Sequence, residues 1–500
     1  MLDQSRTPII EALKAYVDLK PAYFKVPAHR YERGVSERLT ELWGSDVFKY
    51  DLTETVLTDD LHLPIGAIKE AEDLAAELFS ARRSFFLVNG STCGIEAMVI
   101  AAGRKGRIAI ARNAHKAALS GLVISGAEPV FLLPEFSSGL GVFAGVSPEA
   151  VEKTLSENPD VGAFLLTSPT YHGLVSDVRA IADICHDHGA LLLVDEAHGA
   201  HLYFDEKNKA RGALACGADI VVQSIHKTGG SLTQSSILHI GAGAESLESE
   251  VSSALKLVQS SSPSYLLMAS LDAARRELAM SGGEMFAEGV RLSDYVRAEL
   301  RGMDGVRCDI PQSVTKTKQS KGECGIFAVD ESRVSISLAE LGLSGFELAD
   351  RLFEEYEVDV EMADDRNVLV VMTYANTKDD ADRLIAGVCS VATAMGRIRA
   401  DHPVGLCPTP LHGRGIVALP EMVMTHREAY FAETETVAWS VACGRIAAEG
   451  ATPYPPGVPI IYPGEKISLE VWNYIEEQRK AGRPLQGITD PTLKTYKVIK

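Results

Sequence analysis

The stretch "GALLLVDEAHGAH", residues 189–201, decides how this chain is read, because four apolar residues run without a break into Asp195. A strand with one face in water alternates apolar and polar residues, whereas an unbroken apolar run marks a strand covered on both faces. The same kind of run recurs in "RIAIA" (107–111), "EPVFLL" (128–133), "VGAFLLTSP" (161–169) and "ADIVVQSIHK" (218–227). Between the runs lie stretches of helical periodicity, among them "IKEAEDLAAELF" (68–79) and "GIEAMVIAA" (94–102). Covered strands alternating with helices predict an α/β fold with a mostly parallel sheet.

At 500 residues the chain exceeds one ordinary core, so two or three domains are expected. The sheet occupies 65–282, after an N-terminal segment of 1–64. Two long helical patterns, 264–280 and 283–303, lead into a smaller α+β domain of 283–398 with strands such as "RVSISLAE" (333–340) and "VLVVMTYA" (368–375). A C-terminal domain of 399–500 carries the turn-rich "YPPGVPIIYPGE" (454–465). No apolar window is long enough to span a bilayer and the N-terminus lacks a signal-peptide pattern, so the expected compartment is the cytoplasm, with no membrane partner. The eight cysteines are scattered without zinc spacing and are expected to be reduced and mostly buried, with no metal site. A formal charge of −19 argues against nucleic acid and suits a cationic substrate, although acidity also simply keeps a protein in solution.

Ligand groups of such a sheet collect at the carboxyl ends of its strands. "NGSTCG" (89–94) is a strand-to-helix turn whose Ser91 and Thr92 hydroxyls stand beside free helix N–H groups; it is either a phosphate cradle or an ordinary helix cap. Asp195 closes a buried strand and needs a cationic or hydrogen-bonding partner, structural or functional, with Glu196, His198 and His201 close behind. His115, in "RNAHKAALSG" (112–121), is by itself only a helix-start histidine. "SIHKTGGSLTQSS" (224–236) puts Lys227 at the end of another apolar strand, with Ser224 and His226 able to hold an anion. A phosphate cradle, a strand-end acid, a ring to stack and a strand-end lysine together meet the needs of pyridoxal 5'-phosphate. The lysine condenses with its aldehyde, and the acid keeps its ring nitrogen protonated so that the ring accepts electrons.

The chain also resembles the short form of the bacterial ornithine/lysine/arginine decarboxylases, whose large domain has the fold-type I architecture of pyridoxal-phosphate enzymes. The resemblance rests on "DLTETVLTDDLHLPIGAIKEAEDLAAELF" (51–79), "NGSTCG", "RNAHK", "TSPTYHG" (167–173), "DEAHGAH", "SIHKTGGSLTQSSIL", "YPPGVPIIYPGE" and "DPTLKTYKVI" (490–499), in the family order. It implies that Lys227 binds the cofactor aldehyde, Asp195 meets the pyridine nitrogen and His115 stacks on the ring. It further implies that Ser91, Thr92, Ser224 and His226 hold the phosphate, that Ala197 faces the ring from the other side, and that His198 lies near the phenolic oxygen or the substrate carboxylate. Homodimers, or multiples of dimers, with shared sites follow from the same resemblance, the "GGSLTQ" loop reaching across. One departure is "VPAHRYERG" (26–34), with Ala28 and Arg30 where the family carries glycine and lysine; an alanine in a position requiring positive φ would be strained.

The reaction so implied is loss of CO2 from a basic L-amino acid that displaces Lys227, with Lys227 or His226 returning a proton to Cα. Arginine to agmatine, a step of polyamine biosynthesis, comes first; lysine to cadaverine and ornithine to putrescine stay open. Glu465 is either a selector of the basic side chain or, more simply, an exposed turn residue. Two other readings stand beside decarboxylation: an aminotransferase or lyase of the same fold type, and a catalytically silent cofactor-fold protein with a regulatory role.

Overall fold

The computed structural model describes residues 2–137, 139–204, 211–308, 325–401, 419–453, 459–480, 482 and 485–500. The first five residues of "YPPGVPIIYPGE", Cys324 and Cys407 lie outside the described residues. The chain forms two compact units, one of Met1–Ala102 with Leu191–Gly283, the other of Gly103–Ala190 with Glu284–Lys500. Among the described residues no helix is long and apolar enough to cross a membrane.

Each unit carries its own set of paired strands. In the first unit Arg83–Leu87, Ser236–Ile240, Ile220–Gln223 and Leu191–Asp195 lie in that order; the first two pairings are antiparallel and the last is parallel. In the second unit Arg107–Ala111 pairs in parallel with both Val161–Thr167 and Pro129–Leu132. Parallel pairing predominates, as the apolar runs required: Ile220–Gln223 is buried along its whole length.

The helix Gly90–Ala102 packs against the strands of the first unit through Gly94. A side-chain carbon at Gly94 would stand 2.8 Å from Leu87 and 3.0 Å from Val222, so only glycine lets the helix lie directly on the sheet. Val222 is the register partner of Asp195, which places this helix on the face from which the Asp195 side chain departs.

The two helical patterns expected at 264–280 and 283–303 are one helix, Tyr265–Leu300. Where the two patterns meet, a side-chain carbon at Gly282 would stand 2.7 Å from the Phe204 ring, so the glycine permits a close approach. Within "VPAHRYERG" Ala28 has no positive φ; the left-handed residues of that stretch are Arg30 and Tyr31, so the substitution at 28 carries no backbone strain.

Within the second unit, strands Arg333–Ser337, Met362–Ala363 and Asn367–Val371 pair antiparallel and share a core with helix Gly345–Tyr356, built from Val334, Ile336, Leu348, Leu352 and Val368 among others. Further on, Thr434–Ala438 pairs with Thr495–Ile499 around Trp439, Ile461, Ile475 and Tyr496. Of the six described cysteines, Cys93, Cys185, Cys216 and Cys308 are buried, Cys389 is half-buried and Cys443 is exposed.

Candidate functional site

In the first unit the strand Leu191–Asp195 ends in a carboxylate that is 5% exposed. Its Oδ1 accepts the Ala197 N–H at 3.1 Å, and among the described residues it makes no ion pair. A buried carboxylate with one hydrogen bond has acceptor capacity to spare, and in a native protein that capacity calls for a partner. Ala197 and His198 follow it, both nearly buried.

One strand away, Ile220–Gln223 gives way to a single helical turn, Ile225–Thr228. Lys227 therefore stands in that turn and not at the strand end itself. The difference matters to its reach: the turn brings Nζ to 2.8 Å from Nε2 of His198, which joins the lysine to the segment just beyond Asp195. Ser224, at the N-cap of the turn, is fully buried, and its hydroxyl has no hydrogen-bond partner although the surrounding chain is tightly packed. His226 is half-buried; its Nδ1 donates to the Ser235 carbonyl at 2.8 Å, which leaves Nε2 as the acceptor, and burial lowers its pKa below the usual histidine value.

Ser91 and Thr92 occupy the first turn of Gly90–Ala102, half-buried and exposed respectively, where the backbone N–H groups have no preceding helical carbonyl. That helix start, Asp195 and Ser224 all belong to the Val222 face of the sheet, because side chains alternate along a strand and Ser224 is two residues from Val222. Thus Lys227, His198, Asp195, Ser224, His226, Ser91 and Thr92 all follow the carboxyl ends of strands of one unit. His115 lies in the second unit, half-buried, between the strand Arg107–Ala111 and the helix Ala117–Ser125, with Nδ1 accepting the Ala117 N–H at 3.2 Å.

The donor set suits a phosphorylated pyridine aldehyde. An amine stands next to a histidine that can take up its proton, a carboxylate lies open to an N–H, and an unpartnered buried hydroxyl sits near a helix start.

Glu465 is neither exposed nor open to a substrate. It is 1% exposed, and its two oxygens take both terminal nitrogens of Arg112 at 2.7 Å each, while Oε2 also accepts the Tyr462 N–H at 2.7 Å. The guanidinium lies 4.7 Å from the Phe131 ring centre and 4.2 Å from that of Tyr462, and of its nitrogens Nε alone has no partner. Sequence reasoning missed Arg112, though a signal was present: an arginine ending the apolar run "RIAIAR" needs a partner as much as Asp195 does.

The family model for the major domain of Orn/Lys/Arg decarboxylases matches residues 7–380, and the model for their C-terminal domain matches 411–492. The arginine decarboxylase of Bacillus subtilis is 37% identical over 500 residues, covering 100% of this chain and 99% of that protein. That of Halalkalibacterium halodurans is 36% identical over 501 residues, with 100% and 99% coverage. Among solved structures, E. coli constitutive lysine decarboxylase superposes with a TM-score of 0.82 at 22% identity, covering 100% of this chain and 82% of that one. The fold is the fold-type I architecture, with a mostly parallel central sheet and a C-terminal domain. The chain belongs to the Orn/Lys/Arg decarboxylase family.

Proposed function

We propose that this protein removes the α-carboxylate of a basic L-amino acid as CO2, arginine first, to give agmatine, with pyridoxal 5'-phosphate held at Lys227. The observation that carries the reading is the unspent hydrogen-bonding capacity at the strand ends: among the described residues, a buried carboxylate at Asp195 without an ion pair and a buried hydroxyl at Ser224 without a partner, three residues before Lys227. The relatives named arginine decarboxylase support the choice of substrate.

When bound, the cofactor supplies an electron sink for the bond to the carboxylate. The chain does the rest. Lys227 must shed a proton before Nζ can bond an aldehyde, and Nε2 of His198, 2.8 Å away, is placed to accept it. Asp195 keeps a ring N–H protonated. Ser91, Thr92, Ser224 and His226 would hold the phosphate, with His115 stacking on the ring and Ala197 facing it from the other side, as the family resemblance implies. A proton for Cα would come from Nζ of Lys227, or from His226 once its Nε2 has taken one up.

The same reading makes the enzyme a cytoplasmic dimer, or a multiple of dimers, with domains of 65–282, 283–398 and 399–500 after the N-terminal 64 residues. Support for the dimer comes from apolar side chains left in water: Leu232 in the "GGSLTQ" loop is 54% exposed, and Phe24, Val56 and Ile65 are 88%, 96% and 85% exposed.

The test is mass spectrometry of the amines formed by cofactor-loaded protein from an equimolar mixture of arginine, lysine and ornithine. Agmatine is expected to dominate. Keto acid without CO2 would favour an aminotransferase, and a bound cofactor without turnover would favour the silent regulatory reading.

A further inference from the structure

Asp195 is followed by a second buried carboxylate. Consecutive residues at a strand end leave opposite faces of the sheet, so Glu196 points away from the face that bears Ser224 and the Gly90–Ala102 helix. It is 1% exposed; Oε1 accepts the Ala213 N–H and Oε2 accepts the side-chain amide of Gln223, both at 2.8 Å. The Tyr203 hydroxyl also hydrogen-bonds to it, while taking the Leu214 N–H on its own oxygen at 3.0 Å.

From Gln223 the contacts continue across the strands. Gln223 Oε1 faces His239 Nε2 at 3.1 Å, and His239 Nδ1 faces the Ser84 hydroxyl at 2.7 Å. The register produces this line: Ser84 is directly opposite His239, and His239 is opposite Val221, two residues from Gln223 on the same face. Ser84, His239 and Gln223 are fully buried, and the His239 ring packs 4.8 Å from that of Phe79.

Burial pushes the His239 pKa down to about 3, so the imidazole is neutral and carries one ring proton. With the Gln223 NH2 committed to Glu196, its oxygen faces the histidine, which puts that proton on Nε2 and leaves Nδ1 to accept from Ser84. Every donor then points toward Glu196, the polarity that suits an ionised acid. A protonated Glu196 instead donates to Gln223. The amide turns over, the His239 proton belongs on Nδ1, and Ser84 accepts it.

We propose that Glu196 exchanges a proton in the native protein, that the Ser84–His239–Gln223 chain reverses with it, and that the charge so placed behind Asp195 sets how firmly the cofactor's ring nitrogen keeps its proton. Burial pushes the Glu196 carboxyl up to about 8, and the ionisable groups facing it are Tyr203, whose own pKa is raised well above the usual value, and Asp195, whose like charge disfavours a negative Glu196. Beyond Tyr203 lies Cys216. Glu196 is thus a positioning residue, acting through Asp195. The role toward the cofactor rests on the pyridoxal-phosphate reading above, whereas reversal of the chain does not.

The test uses the full-length protein and the isosteric variant Glu196→Gln, with Ser84→Ala as a second variant. Nitrogen-15 NMR of labelled histidine, with the His239 signal identified by its loss in His239→Gln, reads the tautomer without any cofactor. In the wild type the proton is expected on Nδ1 at pH 6.5 and on Nε2 at pH 9; in Glu196→Gln it stays on Nδ1 throughout. Ser84→Ala strands a buried N–H only in the low-pH arrangement, so its midpoint falls by about half a pH unit. In cofactor-loaded protein the visible absorbance of wild type and Glu196→Gln coincides below pH 7 and separates with a midpoint near 8, and the wild-type kcat becomes roughly threefold greater by pH 9. A His239 tautomer that does not change with pH overturns the proposal. Spectra and rates that stay superimposed while the tautomer switches overturn its link to Asp195. Absence of any cofactor band in the wild type defeats the functional reading alone and leaves the tautomer to judge the chain.

Discussion

Two buried clusters of charge treat their hydrogen bonds in opposite ways. At Arg112 and Glu465 a guanidinium meets a carboxylate end to end, with two aromatic rings over it and a backbone N–H filling a further site on the acid. At the ends of Leu191–Asp195 and Ile220–Gln223, a carboxylate has one hydrogen bond and a hydroxyl has none. Leaving such groups short of partners costs about 1–3 kcal/mol each. The contrast teaches where to look for chemistry: a saturated buried charge holds the fold together, and an unsaturated one waits for something the chain does not itself supply.

Substitutions should separate the two clusters. The largest effect is expected from Lys227→Ala, which should lower the decarboxylation rate by ~10^4-fold or more and abolish the visible band of bound cofactor, while urea unfolding of the cofactor-free protein changes little. Arg112→Met should do the reverse: it leaves the Glu465 charge buried and unpaired, and should lower unfolding free energy by about 3–5 kcal/mol, with kcat per folded molecule retained. If Arg112→Met left stability intact, the distinction between the clusters would collapse.

His239 sharpens the comparison from a third direction, since it is buried, neutral and fully partnered. Its folded pKa lies below the unfolded one, so as pH falls below about 6.5 the unfolded chain binds a proton that the native protein refuses, and stability is lost down to about pH 3. This residue contributes roughly 1.4 kcal/mol per pH unit in that window. Urea titrations at pH 7 and pH 5 should therefore show a smaller acid loss for His239→Gln than for wild type, by about 2 kcal/mol. The smallest effect is expected from Ser224→Ala. Cofactor affinity should drop about fivefold by equilibrium dialysis with no loss of cofactor-free stability, because the hydroxyl removed had no partner.

Much of this was legible in the chain. The unbroken apolar runs gave the covered strands, since burial on both faces leaves no polar positions, and Asp195 and Lys227 stood out because each ends such a run. What escaped was decided by packing. The helical turn that carries Lys227 toward His198 is too short to show periodicity. The patterns 264–280 and 283–303 looked like two helices, whereas they are one, with Phe204 closely approaching Gly282. Glu465 looked like a turn residue because its partner lies far away in sequence, and the Ser84–His239–Gln223 line exists only once strand register has aligned three unrelated segments.

The Arg112–Glu465 pair joins residues 353 positions apart. A ribosome adding about 5–20 residues per second needs roughly 20–70 s to travel between them. Until Glu465 emerges, the guanidinium has no counter-charge and must stay hydrated, so this end of the Arg107–Ala111 strand cannot be sealed against water during synthesis. The last segment made is therefore a condition for completing a strand laid down early, and a nascent chain stalled before residue 465 should be more open to protease near Arg112 than the finished protein.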